Sequence, residues 1–333
     1  MAIEQLVQEA LERLFVPVNV RAPIKKCLVR GIEVNDGKVN VKLAADVLPP
    51  AIQRLVEERL PEQAERIEGI SEAKVEFIEV PVTELNDIGS VIAVMSGKGG
   101  VGKSLVTGMA AIALRKVEKE VGVLDADITG PSIPKMFGIT DRPEGTGKAM
   151  LPVPSKTGIE LMSINLLLPV EDEAVIWRGP LIGKTITQFW EDVLWGQLDY
   201  LLVDLPPGTA DAPLTVLQSL PVSGIIIVFT PQDLTSMVVK KAVNMARKMD
   251  KTVLGVVENM SYLYVPEIDK KMEIFGSSRG DEMAEAAGAP LLARLPIDPD
   301  LARLCDEGNI ESYNSEAMQA LGDKLSSVLA LSS

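Results

Sequence analysis

With 333 residues and 47% hydrophobic side chains, the chain is long enough for more than one core. A formal net charge of −14 argues against non-specific binding to nucleic acid or anionic membrane, since either needs a basic surface. The absence of histidine excludes Ser-His-Asp and Cys-His catalysis and any His-ligated metal site.

The first segment, MAIEQLVQEALERL, places Ile3, Leu6, Val7, Ala10, Leu11 and Leu14 on one helical face. It reads as an acidic amphipathic helix rather than a signal peptide. No apolar run approaches the ~20 residues that span a bilayer, so a cytoplasmic protein is expected. Next come two strand-like runs, Lys26–Val34 and Lys38–Ala44, separated by Asn35-Asp36-Gly37, which is a strong hairpin signal. A helix over 51–66 and a strand over 73–77 complete a small α+β domain, residues 1–86. Pro81 to Gly89 reads as a linker, and a second domain occupies 87–333. The chain's two cysteines, Cys27 and Cys305, lie far apart with no C-x-x-C spacing. They support neither a disulfide framework nor a Cys-only metal site. Cys27 falls in the first strand of the hairpin and Cys305 on an apolar helical face, and both read as structural.

From Ser90 onward strands and helices alternate. Strands are expected at 91–95, 121–124, 160–164, 200–203, 225–229, 253–257 and 291–295, with helices at 183–194, 234–249 and 280–287. The order predicts an α/β fold: a mostly parallel sheet with helices on both faces and ligands at the carboxyl ends of the strands.

The strand VIAVM (Val91–Met95) runs into SGKGGVGKS (Ser96–Ser104), then into a helix with apolar residues at Leu105, Met109, Ile112, Ala113 and Val117. This is G-x-x-x-x-G-K-[ST] in its strand–loop–helix setting, the pattern of a P-loop nucleoside-triphosphatase. Backbone N–H groups from Gly97 through Gly99, Gly100, Val101 and Gly102 would cradle phosphates, helped by the helix N-terminus. Lys103 would reach the β/γ-phosphates and the Ser104 hydroxyl would hold Mg²⁺. Two further strands end in acids, DADITGPS (Asp125–Ser132) and DLPPGTAD (Asp204–Asp211). An acid leaving the first can orient the attacking water or act through the metal, and Asp204 suits the Mg²⁺-side role. Gly208 could turn its N–H toward a γ-phosphate. Alternatively these aspartates cap the helices that follow.

The second lysine of the loop, Lys98, gives K-G-G-V-G-K-S. That resembles the deviant Walker A ATPases, a class that includes the MinD, ParA, nitrogenase iron-protein and arsenite-pump groups. Within it the chain is most similar to the Mrp/ApbC group of iron–sulfur cluster carrier ATPases. The resemblance runs through SGKGGVGKS, DADITGPSIP, VIWRGP (Val175–Pro180), LDYLLVDLPPGTAD, TPQD (Thr230–Asp233), GVVENMSY (Gly255–Tyr262) and IFG (Ile274–Gly276). The N-terminal unit is similar to a domain often fused to these carriers.

The resemblance implies an ATP-hydrolysing homodimer using ATP and Mg²⁺. Lys98 would cross to the partner's phosphates as an arginine finger does, Asp127 would position water, and Ser104 with Asp204 would serve Mg²⁺. Asn259 would contact adenine, or serve as a strand-end turn residue, and LPIDP (Leu295–Pro299) would lie along the base. The implied partners are an apo-protein client or an iron–sulfur assembly protein, with no nucleic acid and no membrane.

The carriers also have a C-x-x-C after the ENMSY segment, through which two subunits share a cluster. Here those positions read Val265-Pro266-Glu267-Ile268, and Ala44–Pro50 likewise has no cysteine. Valine and isoleucine cannot replace thiolate ligands. The family therefore implies a cluster for which this chain holds no ligands. The loop is instead apolar, with Tyr262, Leu263, Tyr264, Val265, Ile268, Met272, Ile274 and Phe275. It is expected either to meet its two-fold mate or to fold onto its own domain. Two other functions fit the residues: a cluster-free scaffold switched by ATP, and a MinD- or ParA-like positioning ATPase. The latter needs a basic amphipathic C-terminus or a basic face. Ser312–Leu331 holds one basic residue, Lys324, against Glu316 and Asp323.

Overall fold

The structure is a computed structural model that describes residues 3–15, 21–45, 47–127, 130, 132–145, 148–167, 179–232 and 235–332. Contacts divide the chain into two compact units. One comprises Met1–Ile88, Glu144–Pro152 and Trp190–Leu198; the other comprises Gly89–Pro143, Val153–Phe189 and Asp199–Ser333. The sequence reading places a single cut between residues 86 and 87, whereas two later segments cluster with the first unit. Asn86 accounts for part of this: its side chain donates to Val193 O at 2.9 Å and accepts from Gly196 N at 3.0 Å.

The first unit contains α1 (Ile3–Phe15), α2 (Ala22–Leu28), β1 (Val29–Asn35), β2 (Lys38–Ala44), α3 (Pro50–Ala64), β3 (Glu72–Ile78) and α4 (Val82–Leu85). β1 and β2 form an antiparallel hairpin, and β3 joins β2 in parallel. The hairpin turns at Asp36 and Gly37, both with positive φ (48° and 77°), which is why Asp-Gly suits it. Val7, Leu11, Leu14 and Phe15 of α1 and Val56, Leu60 and Ala64 of α3 are buried in this unit's core. Two local expectations change. Residues 26–28, expected to begin a strand, instead end the helix Ala22–Leu28, which has Pro23 in its first turn, where proline's fixed φ favours a helix. Within 81–89 there is no open linker: α4 forms a turn of helix, and the next strand starts at Asp87.

The chain continues through β4 (Asp87–Ser96), α5 (Lys103–Lys116), β5 (Val121–Asp125), α6 (Ile133–Phe137), β6 (Val153–Pro154), β7 (Glu160–Ser163), α7 (Gly179–Glu191), β8 (Gln197–Asp204), α8 (Asp211–Ser219) and β9 (Gly224–Phe229). It then forms α9 (Thr235–Lys248), β10 (Thr252–Glu258), β11 (Leu263–Val265), β12 (Lys270–Met272), α10 (Gly280–Ala287), β13 (Leu291–Arg294), α11 (Pro299–Asp306) and α12 (Glu316–Ser332). Among the described residues the large sheet has eight strands in the order β13-β10-β9-β4-β8-β5-β7-β6. The pairs β4–β9, β9–β10, β10–β13, β5–β8 and β5–β7 are parallel, and only the short β6 is antiparallel to its neighbour among the described pairs. This is the expected α/β architecture.

β4 sits centrally, with β9 on one side and β8 on the other. The chain leaves β4 toward β5, returns to β8, and then crosses to β9, so the strand order reverses around β4. In such sheets the crevice at the carboxyl ends of those strands is the ligand site. One face carries a core of Ile92 and Val94 from β4, Ile226 and Val228 from β9, and Val106, Met109 and Ala110 from α5. Apolar runs buried on both sides are why these strands read as continuous Val/Ile/Leu segments. α9 packs against β9 and β10, burying Val239, Ala242, Val243 and Ala246. No described helix is long and apolar enough to cross a membrane.

Neither cysteine is placed for chemistry. Cys27 lies in α2, is buried, and donates its thiol to Ile24 O at 3.0 Å. Burial pushes that thiol up to about 12, and the half-buried Cys305 thiol is raised by burial, then by Asp306, to about 11. Thiolates are the reactive form, so at pH 8 iodoacetamide should alkylate both cysteines at least ~100-fold more slowly in folded than in urea-unfolded protein. Equal rates in the two states would contradict these placements.

Candidate functional site: a nucleotide pocket at the sheet edge

β4 delivers the loop 97–102 onto the N-terminus of α5. Gly100 and Gly102 have φ of 77° and 79°, which side chains strongly disfavour. Gly97 is required for a different reason: a Cβ there would stand 1.8 Å from Val238 Cγ1 of α9. Ser96 donates its hydroxyl to Lys98 O at 2.9 Å, bracing the start of the loop. Gly99 and Gly100 are exposed at its crest, and Val101 is buried beneath it.

At the helix N-terminus Lys103 is only 5% exposed. Its Nζ lies 2.7 Å from Asp204 Oδ2, 3.3 Å from Ser104 Oγ and 3.6 Å from Asp127 Oδ2. Ser104 Oγ also donates to Asp204 Oδ2. On the next helical turn Thr107 Oγ1 lies 2.8 Å from Asp204 Oδ1 and 3.1 Å from Lys103 O, and its single proton serves one acceptor at a time. Parallel register sets Asp204 on β8 beside Asp125 on β5. Asp125 holds both ends of the following segment, accepting from Asp127 N at 3.2 Å and Ile133 N at 3.3 Å, with Ser163 Oγ also 3.3 Å away. It therefore organises the loop that carries Asp127, the residue expected to position water.

Electrostatically the pocket wants positive charge. Burial raises Asp204 above the usual carboxylate range, offset in part by Lys103 and by the Ser104 and Thr107 hydroxyls. Burial, then the neighbouring Asp204, raises Asp125 well above it. Such a site would be relieved by a divalent cation, and Ser104 Oγ and Asp204 are hard oxygen donors of the kind that could hold one. Among the described residues no group of His, Cys, Asp and Glu is arranged to hold a metal alone.

The remaining expected residues fall around this core. Asn259, at the end of β10, is 1% exposed. Its side chain donates to Val101 O at 2.9 Å and its N–H to Phe229 O at 2.8 Å, so here it braces the underside of the loop. Lys98 donates to the Gln232 side chain. The Gly208 N–H donates to Ser96 O at 3.0 Å. Residues 128, 129, 131, 175–178 and 233, which contribute to three of the resembling motifs, lie outside the described residues. The positions of the absent C-x-x-C form the tip of a hairpin, β11 and β12 joined through a 3₁₀ turn at Pro266–Ile268. Ile268 at that tip is 62% exposed, and Tyr264, Ile274 and Phe275 are exposed too. The tip of the apolar loop is exposed, while its base is held to the same unit by the Ile297 N–H donating to Tyr262 O at 2.7 Å and by half-buried Leu263 beside Ile297.

Four contributors were not singled out from sequence: Thr107, Gln232 and Ser163, and the role of Asp125 as an anchor. Thr107 had a readable signal, since i+4 from Lys103 shares its helical face. Replacing Thr107 with Val should lower the urea-unfolding stability of nucleotide-free protein by ~1–3 kcal/mol, because a buried carboxylate loses a donor. Unchanged stability would contradict the Thr107–Asp204 contact.

Comparison with known proteins agrees with this geometry. Residues 87–329 match the NUBPL iron-transfer P-loop NTPase family. An iron-sulfur cluster carrier protein of Clostridium perfringens is 49% identical over 242 residues, covering 70% of this chain and 85% of that protein. A protein of the same name from Synechocystis is 33% identical over 324 residues, covering 91% of each. Among solved structures, a nucleotide-binding protein from Archaeoglobus fulgidus in complex with ADP is 45% identical. It superposes with a TM-score of 0.63, covering 69% of this chain and 90% of that one. The MinD cell division protein of Aquifex aeolicus shares the fold at 23% identity, with a TM-score of 0.51 over 72% of this chain and 97% of that one. The chain is a nucleotide-binding P-loop protein and belongs to the NUBPL iron-transfer P-loop NTPase family.

Proposed function

We propose that the chain is a homodimeric ATPase of the cluster-carrier type that holds no cluster through thiolates of its own. The observation that carries the ATPase reading is the convergence of Lys103, Ser104, Asp127 and Asp204 on one strand edge beneath a glycine loop. Glycine N–H groups and the α5 N-terminus receive the phosphates, and Lys103 neutralises their charge. Mg²⁺, when bound, neutralises phosphate charge and orients the transferring group. Asp127, on the segment anchored by Asp125, orients the attacking water. Lys98 leaves Gln232 and reaches the partner protomer's phosphates, supplying the charge of an arginine finger. Nucleotide-dependent dimerisation would thereby complete each site.

The relatives named as iron-sulfur cluster carriers support a role in cluster assembly, with a client or assembly protein as partner. A second reading is favoured by the hairpin: with Val265 and Ile268 where ligands would stand, and both thiols raised, an ATP-switched scaffold needs no metal. A MinD- or ParA-like positioning role is less well supported. Helix α12 presents one lysine, Lys324, which donates to Leu291 O at 2.9 Å.

The test is steady-state ATP hydrolysis with the dimer measured alongside. Lys103→Ala should abolish turnover. Lys98→Ala should keep ATP binding by isolated protomers yet lose roughly 10³-fold or more in kcat, as loss of a finger does. Full turnover by Lys98→Ala would remove the shared-site mechanism, and turnover by Lys103→Ala would remove the site.

A further inference from the structure

Helix α9 covers β9 and β10 with one face, through Val239, Ala242, Val243 and Ala246, and turns the other to solvent. Its exposed residues, among those described, are Met237, Lys240, Lys241, Asn244, Arg247 and Lys248. At 3.6 residues per turn they form one stripe. Met237 and Asn244 run along its middle, with Lys240 and Arg247 on one side and Lys241 and Lys248 on the other. Lys251 follows just past the helix. Residues 235–251 thus carry five cations and one carboxylate, Asp250, in a chain of net charge −14. Among the described residues none of the five cations has an ion-pair partner.

The acids on the elements packed against α9 do not cancel this excess. β9 has none. Glu258 of β10 is fully buried, accepting from Ser261 Oγ at 2.7 Å, Ser278 Oγ at 2.6 Å and Arg279 N at 2.7 Å. On α10, Asp281 is paired with Arg294 at 2.7 Å, which leaves Glu282 and Glu285. With Asp250, three free carboxylates stand against five cations. Arg247 and Lys248, in the last turn, also suit the negative end of the helix dipole, an effect confined to that turn. Lys240 and Lys241 lie in mid-helix, where the dipole gives them no such role.

The seven-residue spacing of both cationic rows, about 10 Å along the axis, is also the spacing of carboxylates at i and i+7 on a second helix. A helix laid along α9 with acids on its two flanks meets all four cations, and an apolar side chain covers Met237, which is 53% exposed. Other occupants suit less well. The helical cations span only about 12 Å, so a long polyanion would continue over the α10 carboxylates and a chain of negative net charge. A short acidic helix stays within about a Debye length, ~8 Å, of the cations. Two copies of α9 laid together would set cation against cation. Val238, in the first turns of α9, packs against Gly97, so one end of the stripe lies beside the phosphate loop.

We infer that the exposed face of α9 docks an acidic helix of a partner protein, its carboxylates meeting Lys240, Lys241, Arg247 and Lys248. The inference goes beyond the ATPase reading and does not depend on it.

The test is selection of a displayed library of helical peptides, randomised on one face, on the full chain with ADP bound, followed by calorimetry on the enriched sequences. Enrichment of Asp and Glu at positions seven apart is expected. The selected peptides should lose at least ~10-fold in affinity for Lys240→Glu/Lys241→Glu and, separately, for Arg247→Glu/Lys248→Glu, ADP binding being retained as the check on folding. The variant Lys270→Glu/Lys271→Glu changes net charge equally on another surface and should leave affinity within about 2-fold, because the screened attraction is local. No acidic enrichment, or equal loss in that control, would overturn the inference. So would duplex DNA of about 30 base pairs binding more tightly than the peptides and losing affinity in the same α9 variants, which would assign the stripe to nucleic acid. Loss of the chain's self-association in those variants would assign it to a second copy and overturn the inference as well.

Discussion

The Lys103 ammonium and the Asp204 carboxylate meet at 2.7 Å where neither is appreciably exposed to water. Each charge costs several kcal/mol to desolvate, and removing one partner from such a pair typically costs ~3–5 kcal/mol. The neighbouring structure distributes that cost. Ser104 and Thr107 reach Asp204 from the first turns of α5, while parallel register brings Asp125 alongside. The result is a pocket with more buried carboxylate than cation, best satisfied when a metal and a phosphate chain complete it. Affinity for a nucleotide thus follows from folding constraints as much as from the loop motif.

The loop is braced from below by residues distant in sequence. Asn259 holds Val101 O, Val238 of α9 closes on Gly97, and Ser96 O takes the Gly208 N–H. Asn259 follows Glu258, whose carboxylate accepts from Ser278 Oγ and Arg279 N just before α10. One strand end therefore supports both the P-loop and the start of α10.

Much of this was legible before the fold was seen, for a specific reason. The residues of the P-loop motif lie within Gly97–Ser104, and Asp125 and Asp204 each end a conspicuous apolar run, so chain order alone places them on one sheet edge. What was hidden depends on register and facing. The Ser163–Asp125 contact needs β7 beside β5, and Gln232 reaches Lys98 from another strand's end. The run Lys26–Val34 looked like one strand because its apolar residues suit either period. Pro23 and burial of Ile24, Cys27 and Leu28 instead made its start a helix. The Gly208 N–H, which the motif suggests could turn toward a γ-phosphate, donates here to Ser96 O.

The fold thus supplies a nucleotide pocket, while the positions that would bind a cluster carry an apolar, exposed hairpin tip. The most direct test is anaerobic reconstitution of the full chain with iron and sulfide, reading bound iron and the visible spectrum alongside ATP turnover. The account predicts a colourless protein with negligible iron that still hydrolyses ATP. A stoichiometric, transferable cluster bound to the same ATP-hydrolysing protein would contradict it.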